Sequence, residues 1–241
     1  MTLFLKLLLA HLIADFWLQP AAWVTEKERK RHRSSVLYLH AGIHGILSFI
    51  ALWNLSLWLP ALVIAGTHWV IDLAKVSFQR GHNRSFWFFL DQLLHVTVIA
   101  MVSLVLVSPG PVEWLFPWQD ALLIATAIVF LTSPSSAIIR IIISQWTPDT
   151  LHSVSSSLPD AGKFIGYLER FLVFLFILFG RWEAVGFLLA AKSVFRFGDL
   201  KEAQDRKLTE YVLIGTMLSF IIALLTALAT SRLSAELPNV M

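Results

Sequence analysis

The chain contains no cysteine among its 241 residues, which removes disulfides and thiolate metal sites and leaves the redox compartment unreadable. Only four methionines are present. Any metal would therefore be held by imidazole and carboxylate, a donor set suited to Zn, Mn, Fe or Co rather than Cu(I). Charge is also scarce: Asp, Glu, Lys and Arg make up 15% of residues and the formal net charge is +3, which supplies no nucleic-acid footprint. No His-Glu-x-x-His metalloprotease motif and no Gly-x-Ser-x-Gly nucleophile elbow occurs, which lowers the peptidase and serine-hydrolase readings.

What is abundant is grease. Hydrophobic residues make up 57% of the chain, with ten Trp and eighteen Phe, and the mean hydropathy is +0.71. A soluble domain does not sustain such values, so the composition describes a polytopic membrane protein. With a spanning requirement of about 20 apolar residues, candidate segments lie roughly at 2–19, 36–53, 57–78, 86–108, 120–144, 164–180, 182–198 and 208–230. The first lacks a basic leader and an Ala-x-Ala cleavage site and carries His11 and Asp15 in its middle, so it reads as a retained helix rather than a signal peptide. The expected fold is an all-α, polytopic integral membrane protein of about eight transmembrane helices. Residues 1–108 form a four-helix unit around a polar site, and residues 109–241 supply C-terminal membrane helices with a cationic cluster.

Loop charge sets the expected orientation. Lys27, Arg29, Lys30, Arg31 and Arg33 follow the first segment, Arg80 and Arg84 the third, and Lys201, Arg206 and Lys207 the seventh, whereas 54–56 and 109–119 hold no Lys or Arg. The positive-inside rule places the basic loops in the cytoplasm and both termini outside it.

Four pairs, His11/Asp15, His40/His44, His68/Asp72 and Asp91/His95, occupy the first four apolar segments at i, i+4 spacing. That spacing stacks each pair on one helix face, one turn apart. Counted from the basic side, Asp15, His40, Asp72 and Asp91 fall at one depth, and His11, His44, His68 and His95 about one turn deeper. Ionisable residues inside a bilayer are costly and normally face a protein interior. Two matched layers of ligand-type side chains point to one or two divalent ions, Zn first, with Mn, Fe and Co as alternatives. A metal-free proton relay or hydrogen-bond network is the other reading. His32, His82 and His152 lie in polar loops and read as solvated.

Other polar groups share this depth. Gln19 stands one turn beyond Asp15, Gln92 is next to Asp91, and Lys75 follows Asp72 by three residues. Lys75 either neutralises Asp72 or helps to bind a substrate anion. Further along, Glu169, Arg170, Lys192, Arg196 and Glu210 admit two readings. They form interhelical ion pairs, Glu169 with Lys192 and Glu210 with Arg196. Alternatively, Arg170, Lys192 and Arg196, with the turn Asp160-Ala161-Gly162-Lys163, bind a lipid phosphate. That turn is no complete P-loop.

The string His11-Leu-Ile-Ala-Asp15-Phe-Trp-Leu-Gln19-Pro20, with His40-Ala-Gly-Ile-His44, His68-Trp-Val-Ile-Asp72-Leu-Ala-Lys75 and Asp91-Gln92-Leu-Leu-His95, resembles a bacterial membrane family catalogued as domain-of-unknown-function family 3307. The resemblance covers residues 1 to about 108. Gly166 to Arg170, Ala191-Lys192-Ser193 and Glu210-Tyr211 look like the C-terminal part of its longer members. The family supplies an address rather than an activity. More loosely, the spaced His and Asp residues look like those of bacterial membrane-bound metal-dependent hydrolases, with no motif aligned and no catalytic role carried over.

A His and carboxylate metal with one open position lowers the pKa of bound water to about 7, which fits hydrolysis. At this depth the substrates would be a lipid ester, a lipid phosphate or a peptide bond in the membrane, reached from the cytoplasmic side. His11, His40, His44, His68, His95, Asp72 and Asp91 are the candidate ligands. Asp15 or Asp91 is the candidate base and Lys75 the electrophilic helper. Rival expectations are a metal-ion or proton transporter, an oxidase using the same ligands, and a metal-stabilised scaffold or sensor whose partner binds the basic stretch 26–33. Transport needs a polar path onward, yet the outer halves of the first four segments hold few polar groups, Ser48, Thr97 and Ser103.

Overall fold

The computed structural model describes residues 1–106, 118–147, 161–197 and 203–236, and among these every regular element is helical. The chain divides into two compact units, Met1–Thr126 and Ala127–Met241.

In the first unit, α1 (Thr2–Phe16) and α2 (Ala21–Lys30) are separated by a sharp turn, and the chain bends by 81° between Thr2–Phe16 and Ala21–Arg33. The sequence explains the break. Proline disfavours helical backbone at the residue before it, so Gln19 cannot continue α1, and Pro20, with φ −63° and ψ 150°, caps α2. The helix expected over 2–19 therefore ends at Phe16, and the basic stretch expected as a loop is largely helical. Next come α3 (Ser35–Leu52), α4 (Trp58–Phe78) and α5 (Arg84–Leu106). α1 packs on α3 and α5, α3 on α4, and α4 on α5, so these four close a cycle, while α2 lies against α3 and α4.

The buried stripes follow helical spacing: Leu37, His40, Ala41, His44, Ser48 and Leu52 on α3, and Asp91, His95, Ile99 and Ser103 on α5. Outward faces are apolar instead, with Ile46 62% exposed, Leu93 63% and Leu104 74%. Polar groups inside and large apolar groups outside invert the soluble pattern, as lipid solvation requires. One close approach sets the spacing of α3 and α4. A Cβ on Gly45 would lie 3.0 Å from Ala65 Cβ, so a small residue here lets the backbones meet.

Among the described residues, five segments are long and apolar enough to cross a membrane: Ser35–Leu52, Leu55–Phe78, Gly81–Leu106, Gln119–Trp146 and Lys207–Ser234. The bent α1 and α2 pair makes a sixth if it counts as one span. By length and composition these are membrane helices. Helices also occur at the sixth and seventh expected positions, yet they stand outside this set. α8 (Ala161–Leu178) carries Lys163, Glu169 and Arg170 in 18 residues, and α9 (Trp182–Phe197) has only 16 residues, below the roughly 20 a span needs.

The boundary between the units falls within α6 (Gln119–Leu131). α7 (Ser133–Ile143) follows after a break at Thr132, and α10 (Ala203–Glu236) completes the second unit. The break has a local cause. Pro134 has no N–H and its ring clashes with the carbonyl four residues back, and the Ser135 hydroxyl donates to that carbonyl, Phe130 O, at 2.6 Å. α8 packs on α9 and α10, and α7 on α10, around an apolar core that includes Leu131, Val173, Phe174, Ala223 and Ala227.

Candidate metal centre

The cycle of α1, α3, α4 and α5 brings the four deeper histidines into a ring. His44 and His68 stack with centroids 3.5 Å apart, His68 and His95 stack at 4.0 Å, and His11 closes the ring at 5.2 Å from His95 and 5.3 Å from His44. The Gly45 contact accounts for the closest of these, because it draws α3 onto α4 one residue from His44. All four imidazoles are buried.

Asp15 sits at the centre of the polar layer. His40 Nε2 and His44 Nε2 each donate to Asp15 Oδ1 at 3.0 Å, and Gln92 Nε2 donates to Asp15 Oδ2 at 2.8 Å. His68 Nε2 lies 3.7 Å from Asp15 Oδ1, and His11 Nε2 lies 3.7 Å from Asp15 Oδ2. Gln92 also reaches Asp91 Oδ2 at 3.2 Å, and its own oxygen accepts from His11 Nε2 at 3.4 Å. One amide thus ties α1 to α5.

The remaining carboxylates are matched by lysines. Lys75 donates to Asp91 Oδ2 at 2.8 Å, and Lys27 of α2 donates to Asp72 Oδ2. Lys75 therefore bonds to Asp91 and not to Asp72, its near neighbour in sequence, and Lys27 takes the place on Asp72. Residue order offers Lys27 only as one cation of a basic loop, yet it is 3% exposed. Nothing in the run Lys27-Glu28-Arg29-Lys30 separates it from its neighbours except the phase of a helix that sequence reading did not foresee. Gln19 lies beyond the end of α1, and so loses the stacking on Asp15 that a longer helix would have given.

Not every polar atom here finds a partner. Among the described residues, the buried side-chain atoms without a hydrogen bond are His40 Nδ1, His68 Nε2, His95 Nε2, Asp91 Oδ1, Trp69 Nε1 and Ser34 Oγ. His95 Nε2 and Asp91 Oδ1 stand 3.3 Å apart without hydrogen-bond geometry. Orphaned buried polar atoms are uncommon and costly, and four of these six belong to residues of the ligand type. Three groups have ligand atoms within 4.8 Å of one another: His11, Asp15, His44 and His68; Asp15, Asp91 and His95; and His40, His68 and Asp72. Two ligand atoms about 2.1 Å from a tetrahedral ion lie about 3.4 Å apart. The separations of 3.0 and 3.7 Å from Asp15 to His44, His68 and His11 bracket that value.

A sequence model of the family described as "Protein of unknown function (DUF3307)" matches residues 3–124, just over half of the chain. The chain belongs to this family. The match spans nearly the whole first unit of this DUF3307 member, from His11 to His95, and ends before the second unit begins. No curated protein and no solved structure matches it.

The cationic residues of the second unit take other roles. Arg170, 3% exposed, donates from Nε to Leu131 O at 2.6 Å and from Nη2 to Thr132 O at 3.3 Å and Ser136 Oγ at 2.8 Å. From Nη1 it reaches Ser219 Oγ at 3.1 Å. It thereby caps the broken end of α6, where Leu131 O has no backbone donor among the described residues and Thr132 O accepts from Ser136 N at 3.2 Å as well as from Arg170. Lys192 pairs with Glu169 at 2.5 Å. Arg170 and Lys192 thus each have protein partners, and the Arg196 side chain, Asp160 and His152 lie outside the described residues.

Proposed function

We propose that the first unit is an intramembrane centre for one or two divalent metal ions, Zn foremost, and that its chemistry is hydrolysis of a lipid ester or lipid phosphate reached from the cytoplasmic side of the bacterial inner membrane. The observation that carries this reading is the set of buried ligand atoms left without hydrogen bonds around Asp15. That carboxylate belongs to two of the three ligand groups, as a bridging ligand does in two-metal hydrolases. Ligation would satisfy His68 Nε2 and His95 Nε2 and would leave Asp91 Oδ1, which has no hydrogen bond, facing a bound water. A purely structural hydrogen-bond network would not be expected to leave them orphaned.

Bound there, the ion would supply Lewis acidity and an activated water. The protein's own part is positional. Asp91, held by Lys75, stands on the basic side of the histidine ring, where it can take the proton that water loses when its oxygen attacks the acyl or phosphoryl centre. That proton then goes to the leaving alcohol. Lys75 keeps 22% of its side chain exposed, enough to meet a developing negative charge.

Transport is the second reading, and one observation speaks against it. One turn beyond the histidine ring, on the side away from α2, Leu7, Ile64 and Ile99 belong to one apolar core with Leu52 and Ala61. A path for ions would have to cross this dry layer.

Elemental analysis of the detergent-purified protein tests the proposal, with His44→Ala and Asp91→Asn alongside. One or two equivalents of Zn, Mn or Fe, diminished in the variants, are expected, and would justify a screen of lipid and lipid-phosphate substrates. Metal-free protein under every loading condition would sink the metal centre and the hydrolase together.

A further inference from the structure

The apolar layer closes the centre at one end, and α2 closes it at the other. α2 leaves α1 through the 81° bend, crosses onto α3 and α4, and inserts a single buried cation, Lys27, onto Asp72. Its other ties to α4 and α5 are peripheral: Gln79 Nε2 donates to Glu28 Oε1 at 3.0 Å, and Arg84 Nη2 donates to the same oxygen at 3.2 Å. Polar ties near the surface are individually weak, so the ammonium on Asp72 is the one deep polar attachment of α2 among the described residues.

Asp72 is not an isolated acid. With His40 and His68 it forms the third group of convergent ligand atoms, all three residues buried, and within it His40 Nδ1 and His68 Nε2 have no hydrogen-bond partner. The group thus has the donors of a cation site, two unsatisfied imidazole nitrogens, and a lysine ammonium already on its carboxylate. His68 also belongs to the inner group with His11, Asp15 and His44. A neutral imidazole has one lone-pair nitrogen to give, so the inner and outer groups cannot both hold an ion through His68. They are filled in turn.

We propose that His40, His68 and Asp72 form an entry seat for a divalent cation, that Lys27 is the tethered cation closing it, and that α2 must lift Lys27 off Asp72 before metal reaches the inner ring. The proposal rests on the metal-centre reading and adds a route and a gate to it. An arriving ion replaces the ammonium on Asp72, engages His40 and His68, and passes to the inner group through their shared histidine. Lys27 then returns to Asp72. Charge at the carboxylate stays compensated throughout, as a buried anion requires.

The chain has no cysteine of its own, so an introduced pair is free of background. Glu28→Cys with Gln79→Cys replaces the two side chains that already bond across α2 and α4, and a cleavable bis-methanethiosulfonate linker would pin the helix shut while Lys27 is left intact. Metal-stripped protein is mixed with Zn2+ alone and uptake is followed in time, bridged and again after reduction, alkylation of the freed thiols so that they cannot bind Zn2+, and desalting. Bridging should slow uptake about tenfold or more, and reduction should restore it. In parallel, Lys27→Met should take up Zn2+ about tenfold faster than wild type to the same final stoichiometry, whereas Lys27→Arg should stay slow, because loss of a buried partner charge removes the competitor. Equal rates in bridged and reduced protein would overturn the gate even if Lys27→Met fails to fold. Saturable Zn2+ binding with rates indifferent to both manipulations would overturn the gate and leave the metal centre standing. No Zn2+ uptake in any form would overturn both.

Discussion

The two units each bury a charged side chain among apolar helices, and they treat it differently. In the second, Arg170 has described acceptors for all three of its nitrogens, on Leu131, Thr132, Ser136 and Ser219. In the first, Asp15, Asp91 and the histidines stand closer together than they are bonded, and every buried side-chain atom without a partner among the described residues belongs to this unit. A saturated polar network holds helices together, whereas an unsaturated one made of ligand-type atoms is poised for something more. On the proposed reading, this difference separates a structural network from a metal centre.

The comparison breaks most visibly at Arg170. Replacement by Met leaves the Leu131 carbonyl of the α6 break without a donor and removes the charge-assisted bonds to Thr132, Ser136 and Ser219, at a cost of about 3 to 5 kcal/mol. A large drop in the denaturation midpoint in detergent is expected, with metal content per folded molecule unchanged. Loss of metal from that variant would show that the division of labour is wrong.

Asp15→Asn should have the opposite signature. It removes the carboxylate common to two ligand groups, so metal affinity falls about a hundredfold, equivalent to about 2.7 kcal/mol, while metal-free protein melts near the wild-type temperature. Equilibrium dialysis against a competing chelator reads the first quantity and thermal denaturation the second. A destabilised metal-free variant with unchanged affinity would reduce Asp15 to a structural acceptor.

Lys75→Met sharpens the contrast within the first unit. It strips Asp91 of its ammonium and should cost metal-free protein about 2 kcal/mol, tempered by the partial exposure of Lys75. Added Zn2+ should recover that loss, because ligation restores positive charge beside Asp91 and stabilises the folded state by mass action. Failure of Zn2+ to recover it would argue that no ion binds beside Asp91.

Two glycines on α3 provide the smallest effects. Gly45→Ala forces a methyl against Ala65 and should cost about 1 kcal/mol, with weaker metal binding as His44 moves off His68. Gly42, which has open space where a Cβ would go, should accept Ala with no loss, or a gain below about 1 kcal/mol from helix propensity. Similar effects at both positions would mean that close approach of α3 and α4 does not set the histidine ring.

Much of this was legible in residue order. Helix periodicity is local, so i, i+4 spacing alone puts His40 with His44 and Asp91 with His95 on one face, and the cost of burying such groups in lipid says that the face turns inward. Hydropathy located the apolar helices to within a few residues, missing chiefly where a proline intervened, at the end of α1 and within the segment expected over 120–144. What local order cannot carry is the choice of partner. Asp72 lies three residues from Lys75 and is paired with Lys27, while Lys75 reaches across to Asp91. Gln92 beside Asp91 spans to Asp15 on α1. These pairings depend on the order in which helices close their cycle and on an 81° turn that lays α2 across it. Sequence by itself determined that a polar stripe is buried in a membrane helix, because that follows from period and solvation free energy. Only the tertiary structure decided which stripes face one another, which atoms remain unsatisfied, and which lysine covers them, because those depend on distances between residues far apart in the chain.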